Sequence, residues 1–309
     1  PSMKSELDSL MIETGAIKEI TWKEADRLRR EAESKGVLFE KIPAKAVFSR
    51  KAGSGKRKCR ACACGNYMAQ RDQLDTYAGG TGATEVRTVL RKAGLEGWSA
   101  VALDVKTAFL RAPRDHSREI VVVQPPAILV LAGLCGPDTL WLVEKALYGL
   151  TTSPKEWTQF RNQSLGDFRW HQNGCIYEAQ KTNDQDIWKI VAISQSPAEP
   201  CGITEGAPVQ RCRSPKEWEV GSAMTGGKTV GLFVTYVDDI LAVGEKEVLQ
   251  GFCTRMKEEW EVGAPDWVTP DGPSVRFLGM EIELKDQKFR IHQRAYIQNL
   301  LEKYPHEKP

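Results

Sequence analysis

The feature that most constrains this sequence is a pair of adjacent aspartates between two apolar segments. Residues 230–237 are largely apolar, Asp238 and Asp239 follow, and residues 240–243 are apolar again. Two such segments joined by a tight turn predict a β-hairpin with the aspartates at its tip. A plain turn is one interpretation, because Asp is common in turns. A cation site is the other, because adjacent carboxylates raise each other's pKa unless a cation neutralises them.

A third carboxylate, Asp104, lies in a second apolar strand, predicted for residues 98–105. An uncompensated charge in a buried strand is costly, so this side chain needs a partner. Hard divalent ions such as Mg²⁺ take carboxylate oxygens and bridge to substrate phosphates. Three carboxylates on neighbouring strands could hold two such ions. One ion would activate an attacking hydroxyl, and the other would stabilise a leaving pyrophosphate.

The rest of the chain mixes helical and strand periodicities without regular alternation, which predicts an α+β fold. Helices are predicted over much of residues 1–36, with a capping box at Thr21, then at 84–94, after Ser153 and Pro154, at 246–260 and from 293. Strands are predicted at 37–39, 46–48, 98–105, 120–123, 230–237, 240–243, 275–284 and 289–292. Residues 172–228 are rich in Gly, Pro, Ser and Gln, and are predicted to be an irregular insertion with some strand at 187–193.

Composition and charge narrow the function classes. No apolar run reaches the roughly 18 residues of a membrane-spanning helix, and the N-terminus lacks a signal-peptide pattern, so an intracellular protein without a membrane partner is expected. Net charge is only +2. Residues 45–60 nevertheless contain several Lys and Arg side chains and no acidic one. This stretch is either a phosphate-binding surface or a solvated loop.

Two other motifs have weaker support. Cys59, Cys62 and Cys64 could form half of a zinc site, but no second cluster has suitable spacing, so buried thiols are the favoured interpretation. Residues 226–229 resemble the end of a P-loop, yet Ser occupies the position of its first Gly and a strand is predicted to follow. Residues 53–56 are followed by Arg where Ser or Thr is required. A P-loop ATPase is therefore not expected.

The hairpin residues Tyr236, Val237, Asp238 and Asp239, downstream of residues 103–110, resemble the palm of retroelement reverse transcriptases. Further segments in family order narrow the resemblance to the copia type of long-terminal-repeat retrotransposons: residues 124–126, 147–150, 153–154 with Trp157, and 277–282. Residues 58–66 are similar to the family's Lys-Ala-Arg-Leu-Val-Ala-Arg-Gly segment, with its apolar and final basic positions altered. The resemblance runs from about Phe39 to the C-terminus, apart from the insertion.

This resemblance implies a right-hand polymerase. The fingers would be residues 37–97 and 111–152, the palm residues 98–110 and 153–284, and the start of a thumb residues 285–309, after an N-terminal helical extension over 1–36. The implied reaction is attack of a primer 3′-hydroxyl on the α-phosphate of a dNTP, directed by an RNA or DNA template, with two Mg²⁺ or Mn²⁺ ions. RNase H and integrase regions of the same polyprotein would be partners, and a cytoplasmic virus-like particle the location.

The resemblance also implies roles for individual residues. The metal-binding and catalytic residues would be Asp104, Asp238 and Asp239, with Val105 beside them. The nucleotide-binding residues would be Lys58, Arg60, Phe109, Tyr148 and Gly149, and the primer and template would contact Tyr236, Val237, Phe277, Leu278, Gly279 and Met280. Phe109 would be the steric gate against a ribose 2′-hydroxyl, or else an ordinary core aromatic. Residues 277–280 would be the primer grip, or else a plain strand and turn.

Three residues of this sequence depart from the family pattern. Thr151 and Thr152 replace a basic residue and a Gln, and Cys64 replaces a commonly basic residue. These changes leave an alternative function open, a non-catalytic nucleic-acid-binding remnant of a retroelement polyprotein. A further alternative is an unrelated two-metal phosphotransferase that acts on small substrates.

Overall fold

A computed structural model describes residues 2–50, 55–69, 79–184, 186–194 and 227–304. The chain divides into two compact units. Unit 1 comprises Pro1–Ala78 and Thr107–Asn162, and unit 2 comprises Gly79–Lys106 and Gln163–Pro309. Both units mix helices with sheets, so the predicted α+β class is confirmed.

The α-helices and β-strands are as follows. The helices are α1 Ser2–Asp8, α2 Trp22–Ser34, α3 Ala83–Glu96, α4 Ala127–Leu131, α5 Ser153–Gly166, α6 Lys246–Glu259 and α7 Arg294–Lys303. The strands are β1 Ile17–Thr21, β2 Leu38–Arg50, β3 Arg57–Ala63, β4 Ser99–Asp104, β5 Glu119–Gln124, β6 Thr139–Val143, β7 Arg169–Gln172, β8 Cys175–Lys181, β9 Ile187–Ser194, β10 Lys228–Tyr236, β11 Asp239–Gly244, β12 Asp266–Val268, β13 Val275–Phe277, β14 Met280–Lys285 and β15 Lys288–His292. A π-helix at Ser9–Glu13 and 3₁₀ turns at Gly65–Tyr67 and Ala108–Arg111 complete the described elements.

Unit 1 contains a five-stranded sheet with the order β1-β6-β5-β2-β3. The pair β2–β5 is parallel and the other neighbours are antiparallel. The expected short strands at 37–39 and 46–48 are one strand, β2. Its first half pairs with β5 as far as Pro43 and its second half pairs with β3 from Ala44 onward. One long strand can thus serve two neighbours, and β3 forms the outer edge of the sheet.

The N-terminal segment 1–36 was predicted to be helical, and this prediction is wrong for β1. Ile17 and Ile20 are buried and pair with Val143 and Leu140 of β6. Two isoleucines three residues apart fit a helix as well as a strand, and pairing with the sheet edge decides between them. The predicted capping box of α2 is confirmed, because Thr21 and Glu24 exchange both backbone-to-side-chain hydrogen bonds.

Unit 2 contains a seven-stranded antiparallel sheet with the order β12-β4-β11-β10-β9-β8-β7. Its centre is the predicted hairpin, β10 and β11. One face packs on α3 through an apolar stripe of the helix predicted at 84–94, and its members Val86, Val89, Leu90 and Ala93 are all buried. The ring of Phe233, in β10, lies 5.1 Å from that of Phe252 in α6, measured between centroids.

Residues 172–228 were predicted to be irregular, and the first part of this prediction is wrong. β8 pairs with β7 and with β9, and its residues alternate between buried and half-buried. The expected strand at 187–193 is confirmed as β9. Most of the Gly and Pro residues on which the prediction depended are in 195–226, which lie outside the described residues.

A three-stranded sheet, β13-β14-β15, precedes α7 in unit 2. Phe277 pairs with Met280 across a two-residue turn in which Leu278 and Gly279 have φ of 50° and 69°. Positive φ at both central residues is the signature of a type I′ turn, the connection that suits the twist of a hairpin. None of the described helices is long and apolar enough to cross a membrane.

Candidate active site

The three predicted carboxylates lie at the same end of neighbouring strands in unit 2. Asp104 is the last residue of β4 and Asp239 is the first of β11, and the two are direct antiparallel partners. Asp239 is also paired with Tyr236, so Val237 and Asp238 form the two-residue turn of the hairpin. The hairpin and β4 therefore bring Asp104 beside two acids that are far from it in the sequence.

Backbone hydrogen bonds fix the end of β4 on both sides. The Val105 amide donates to the Asp238 carbonyl at 2.8 Å, which ties β4 to the hairpin turn. On the other side, the Gly263 amide donates to the Asp104 carbonyl at 2.9 Å. The backbone of Asp104 is thus fixed between two neighbouring segments, while its side chain is exposed.

The carboxylates interact electrostatically. Burial, followed by the negative charges of Asp238 and Asp104, raises the pKa of Asp239 to about 6. Close like charges without a compensating cation produce this effect. An Asp whose pKa approaches the physiological range is a frequent mark of a functional site.

A divalent cation suits the chemistry of these donors, since Mg²⁺ and Mn²⁺ prefer carboxylate oxygens. Within the described ranges, no group of three or more His, Cys, Asp or Glu side chains is arranged to hold a metal ion. Asp104, Asp238 and Asp239 are therefore neighbours by backbone register and by charge, and ion binding would require their side chains to reorient. Lys106, two residues beyond Asp104, is ion-paired with Glu261 at 2.8 Å.

The turn of the hairpin has an unusual backbone. Val237 has a φ of 50°, in the left-handed region. For a β-branched residue this conformation is a clear outlier, because the branched side chain crowds the backbone. Such strain costs on the order of 1–3 kcal/mol and is concentrated at functional sites. The pairing of β10 and β11 on either side of the turn holds Val237 in this conformation.

The predicted nucleotide-binding residues form a cluster in unit 1. The Arg60 guanidinium lies 5.0 Å from the centroid of the Tyr148 ring, within the range of a cation–π contact. The Phe109 ring meets the same ring edge-on, with 6.0 Å between centroids. Lys58 is exposed and lies two residues from Arg60 on the same face of β3. The structure therefore brings a basic pair and two aromatic rings together.

Gly149 joins this cluster through a close backbone approach. Its φ is 90°, and a Cβ at this position would lie only 2.1 Å from the Ala63 carbonyl oxygen. The Ala63 amide donates to the Tyr148 carbonyl at 2.7 Å, and the Gly65 amide donates to the Gly149 carbonyl at 3.2 Å. A Cβ on Gly65 would in turn lie 2.4 Å from the Gly149 oxygen. Only glycine fits at either position.

The predicted primer-contacting residues divide into two groups. Phe277 and Met280 are buried in the core that packs on α3, so their side chains stabilise unit 2. The intervening turn residues are more accessible, with Leu278 half-buried and Gly279 exposed. Tyr236 is 38% exposed at the end of β10.

Comparison with known proteins identifies the family. Residues 36–190, half of the chain, match the family described as reverse transcriptase (RNA-dependent DNA polymerase). The chain belongs to this family. Similar relatives are the retrovirus-related Pol polyproteins of plant copia-type transposons, which confirms the copia-type resemblance.

Two of these relatives show how much of a polyprotein the chain represents. It is 24% identical over 226 residues to the Pol polyprotein of transposon TNT 1-94 from Nicotiana tabacum, covering 72% of this chain and 13% of that protein. It is 24% identical over 263 residues to that of transposon RE1 from Arabidopsis thaliana, covering 82% of this chain and 14% of that protein. The chain thus spans about one-seventh of the length of these relatives.

Among solved structures, telomerase from Candida albicans in complex with a telomeric RNA fragment matches with a TM-score of 0.38. The sequences are 10% identical, and the match covers 88% of this chain and 51% of the telomerase chain.

Thr152, which replaces the Gln of the reverse transcriptase pattern, has a structural role in unit 1. Arg114 is nearly buried, and its guanidinium donates to the Thr152 hydroxyl at 3.2 Å and to Glu156 at 3.1 Å. It also pairs with Glu119 of β5. Burial raises the pKa of both Glu119 and Glu156. Thr152 therefore belongs to a buried ion cluster that links α5 to the sheet of unit 1.

The cysteines lie at several depths. Cys59, Cys135 and Cys253 are buried free thiols, while Cys62 and Cys64 are half-buried and free. Burial raises the pKa of Cys253 to about 12, so this thiol stays protonated. Cys175 is disulfide-bonded.

Three residues near the candidate site were not predicted. Gly65 faces Gly149, and Gly80 packs on the Tyr236 ring, since a Cβ on Gly80 would lie 3.1 Å from a ring carbon. Glu6 accepts a hydrogen bond from Ala61 in β3. The sequence carries a signal for Glu6 only, because this carboxylate interrupts the apolar face of α1 formed by Met3 and Leu7.

Proposed function

We propose that this chain is an RNA-directed DNA polymerase of a copia-type retrotransposon. The observation that carries the proposal is the pairing of Asp104 with Asp239 beside Asp238, at the end of a hairpin in a member of the reverse transcriptase family. Three carboxylates of this kind, with mutual electrostatic repulsion, suit the transfer of a nucleotidyl group. The reaction is attack of the primer 3′-hydroxyl on the α-phosphate of a dNTP.

In this proposal Asp104, Asp238 and Asp239 hold two Mg²⁺ or Mn²⁺ ions, with Val105 beside them. Bound ions would favour ionisation of the primer hydroxyl and neutralise charge on the leaving pyrophosphate. The chain itself fixes the backbone that carries the acids. The amide of Val105 and the carbonyl of Asp104 are both hydrogen-bonded to neighbouring segments, so the backbone around the acids is preorganised.

The dNTP is proposed to bind the cluster in unit 1. Arg60 offers a planar fork of N–H donors that matches a phosphate, and Lys58 adds a positive charge on the same exposed face. Phe109, packed edge-on against Tyr148, is the steric gate that would select deoxyribose. Gly149 keeps Tyr148 close to β3, because its backbone approach admits no side chain.

The primer and template are proposed to contact Tyr236, Val237 and residues 277–280. Because the side chains of Phe277 and Met280 are in the core, the primer grip would act through the accessible turn of Leu278 and Gly279. Contacts to nucleic acid should be mainly to the phosphate backbone and therefore weaken with salt. The proposal also includes fingers at residues 37–97 and 111–152, a palm at 98–110 and 153–284, and the start of a thumb at 285–309. RNase H and integrase regions of the same polyprotein are its proposed partners.

Primer extension tests the proposal. The purified chain is given an RNA template, a DNA primer, dNTPs and Mg²⁺ or Mn²⁺, beside Asp238→Asn. Extension by the parent and none by the variant is the expected result, because the variant loses one anionic donor while keeping nearly the same shape.

The outcome that favours the alternative, a non-catalytic nucleic-acid-binding remnant, is equally clear. In that case the parent would fail to extend the primer in either metal and yet bind primer–template with an affinity that falls steeply with salt. Turnover of small phosphorylated substrates without primer–template would instead support an unrelated phosphotransferase.

A further inference from the structure

Strand β3 carries Lys58 and Arg60 and lies at the outer edge of the unit 1 sheet. An edge strand has a row of amides that no neighbouring strand can pair. Near the end of β3 two of these amides have other partners. The Ala63 amide donates to the Tyr148 carbonyl at 2.7 Å, and the Ala61 amide donates to a carboxylate oxygen of Glu6 at 3.1 Å.

Glu6 reaches this edge from a firmly packed helix. Its neighbour Leu7 and the following Leu10 are buried in the same core cluster as Ala61 and Ala63. The apolar contacts of α1 therefore determine where the Glu6 carboxylate lies. This helix precedes residues 36–190, the part that matches the reverse transcriptase family.

The charge of Glu6 also interacts with basic residues of the nucleotide-binding cluster. Burial raises the pKa of Glu6, while the hydrogen bond from Ala61 and the positive charges of Arg60 and Lys58 act in the opposite direction. The Glu6 carboxylate thus interacts with the two side chains that would hold an anionic triphosphate.

We propose that Glu6 is a positioning residue for the incoming nucleotide, because its carboxylate fixes the edge of β3 at Ala61 and so holds Arg60 and Lys58 in place. This inference rests on the proposed function. The carboxylate has two effects of opposite sign. Its hydrogen bond orders the strand and favours nucleotide binding, whereas its negative charge weakens the attraction between β3 and a triphosphate.

Two substitutions separate these effects. Glu6→Gln keeps an acceptor oxygen for Ala61 and removes the charge, whereas Glu6→Ala removes both. Glu13→Ala is the matched control, because it removes an exposed carboxylate from the adjoining π-helix. Single-nucleotide incorporation would give kcat and the dNTP KM for each protein.

Glu6→Ala is expected to raise the dNTP KM about fivefold or more and to leave kcat within about twofold, the pattern of lost binding rather than lost chemistry. Glu6→Gln is expected to have a KM at or below that of the parent, and Glu13→Ala a parental KM. Equal KM values for Glu6→Ala and the parent would overturn the inference, and so would a Gln variant as impaired as the Ala variant.

Hydrogen exchange at the Ala61 amide gives a second readout that needs no activity. Exchange is expected to be about tenfold faster in Glu6→Ala and near parental in Glu6→Gln. If Glu6→Ala does not fold, Glu6→Asp serves instead, since it keeps the charge but shortens the reach to Ala61. It should show faster exchange and a raised KM.

The two readouts distinguish the inference from the proposed function. If the parent does not extend primers but exchange responds as expected, the contact with β3 exists and the proposed function fails, together with the role of Glu6 in nucleotide binding. If the parent is active but neither KM nor exchange responds, the inference alone is overturned.

Discussion

Asp239 differs from an ordinary surface aspartate because it is half-buried and because its neighbours are also acids. Asp104 is its partner across the strands and Asp238 precedes it in the turn. With burial, these charges raise its pKa from 3.8 to about 6. The folded chain therefore resists ionisation of Asp239, and this resistance is what a bound cation would relieve.

This shift predicts a pH dependence of stability in metal-free protein. Because the folded-state pKa exceeds the unfolded value, the contribution of Asp239 to stability is full below pH 3.8 and is lost as pH rises through about 6. Asp239→Asn should therefore stabilise the chain more at pH 7.5 than at pH 5, by about 1 kcal/mol after allowance for solvent screening. Urea unfolding in EDTA measures this difference.

Asp266→Asn is the control for that measurement, since Asp266 is exposed in β12. It should change stability equally at both pH values. An Asp239→Asn variant with the same pH profile as the parent would show that the three acids do not interact as described.

Gly149 predicts a second effect of a single residue. A Cβ there would collide with backbone rather than with a movable side chain, and its φ of 90° is strained for any other residue. Gly149→Ala should lower the free energy of unfolding by about 1–3 kcal/mol. It should also move Tyr148 away from Arg60 and raise the dNTP KM.

Gly94→Ala is the matched control in urea unfolding. Gly94 lies inside α3, and a Cβ there would meet no atom within 4 Å. This change should stabilise the chain by about 0.5–1 kcal/mol, because Ala has the higher helix propensity. If both variants had the same stability, the close approach at Gly149 would be wrong.

Among the elements, the hairpin and the helices with strong apolar stripes could be predicted from the sequence. Continuous apolar runs identify β4, β10 and β11, and spacing alone identifies the buried face of α3. β8 was missed because its polar half faces solvent and its neighbours carry turn residues. β1 was missed because its pairing with β6 depends on contacts that local sequence does not encode.

The candidate site was predictable to a similar extent. The aspartates stand out because charges are rare within apolar strands. The contact of Glu6 with β3 and the contact of Gly65 with Gly149 could not be derived from the sequence. Each depends on tertiary packing between segments distant in the sequence.

The location of the segment that links β9 to β10 predicts that the fold does not depend on this segment. Ala192 pairs with Lys228, so the chain leaves β9 and enters β10 at one end of the sheet. Asp104, Asp238 and Asp239 lie at the other end of these strands. Replacing residues 195–226 with a short hairpin turn, together with Cys175→Ala because the replacement removes Cys201 and Cys212, should therefore preserve the fold, since adjacent antiparallel strands need only two linking residues.

The test is circular dichroism and primer extension with the shortened chain. Parental helix and strand content with a parental extension rate is expected. Normal folding with loss of extension would show that residues 195–226 take part in catalysis or in nucleic-acid binding.

Across the whole molecule, the predicted roles divide between the two units. The proposed nucleotide-binding residues Lys58, Arg60, Phe109, Tyr148 and Gly149 all belong to unit 1. The three carboxylates belong to unit 2. The boundary after Lys106 falls within residues 103–110, one of the segments that resemble the reverse transcriptase palm, so this segment contributes to both units.

The most direct test of the central claim is the rate of single-nucleotide incorporation at saturating primer–template in Mg²⁺. Asp104→Asn, Asp238→Asn and Asp239→Asn should each reduce the rate on the order of 10³-fold, about 4 kcal/mol, because each removes an anionic donor from one metal site. Asp266→Asn should retain the parental rate. If any of the three substitutions left the rate unchanged with primer–template still bound, that aspartate would not belong to a catalytic metal site and the claim would be contradicted.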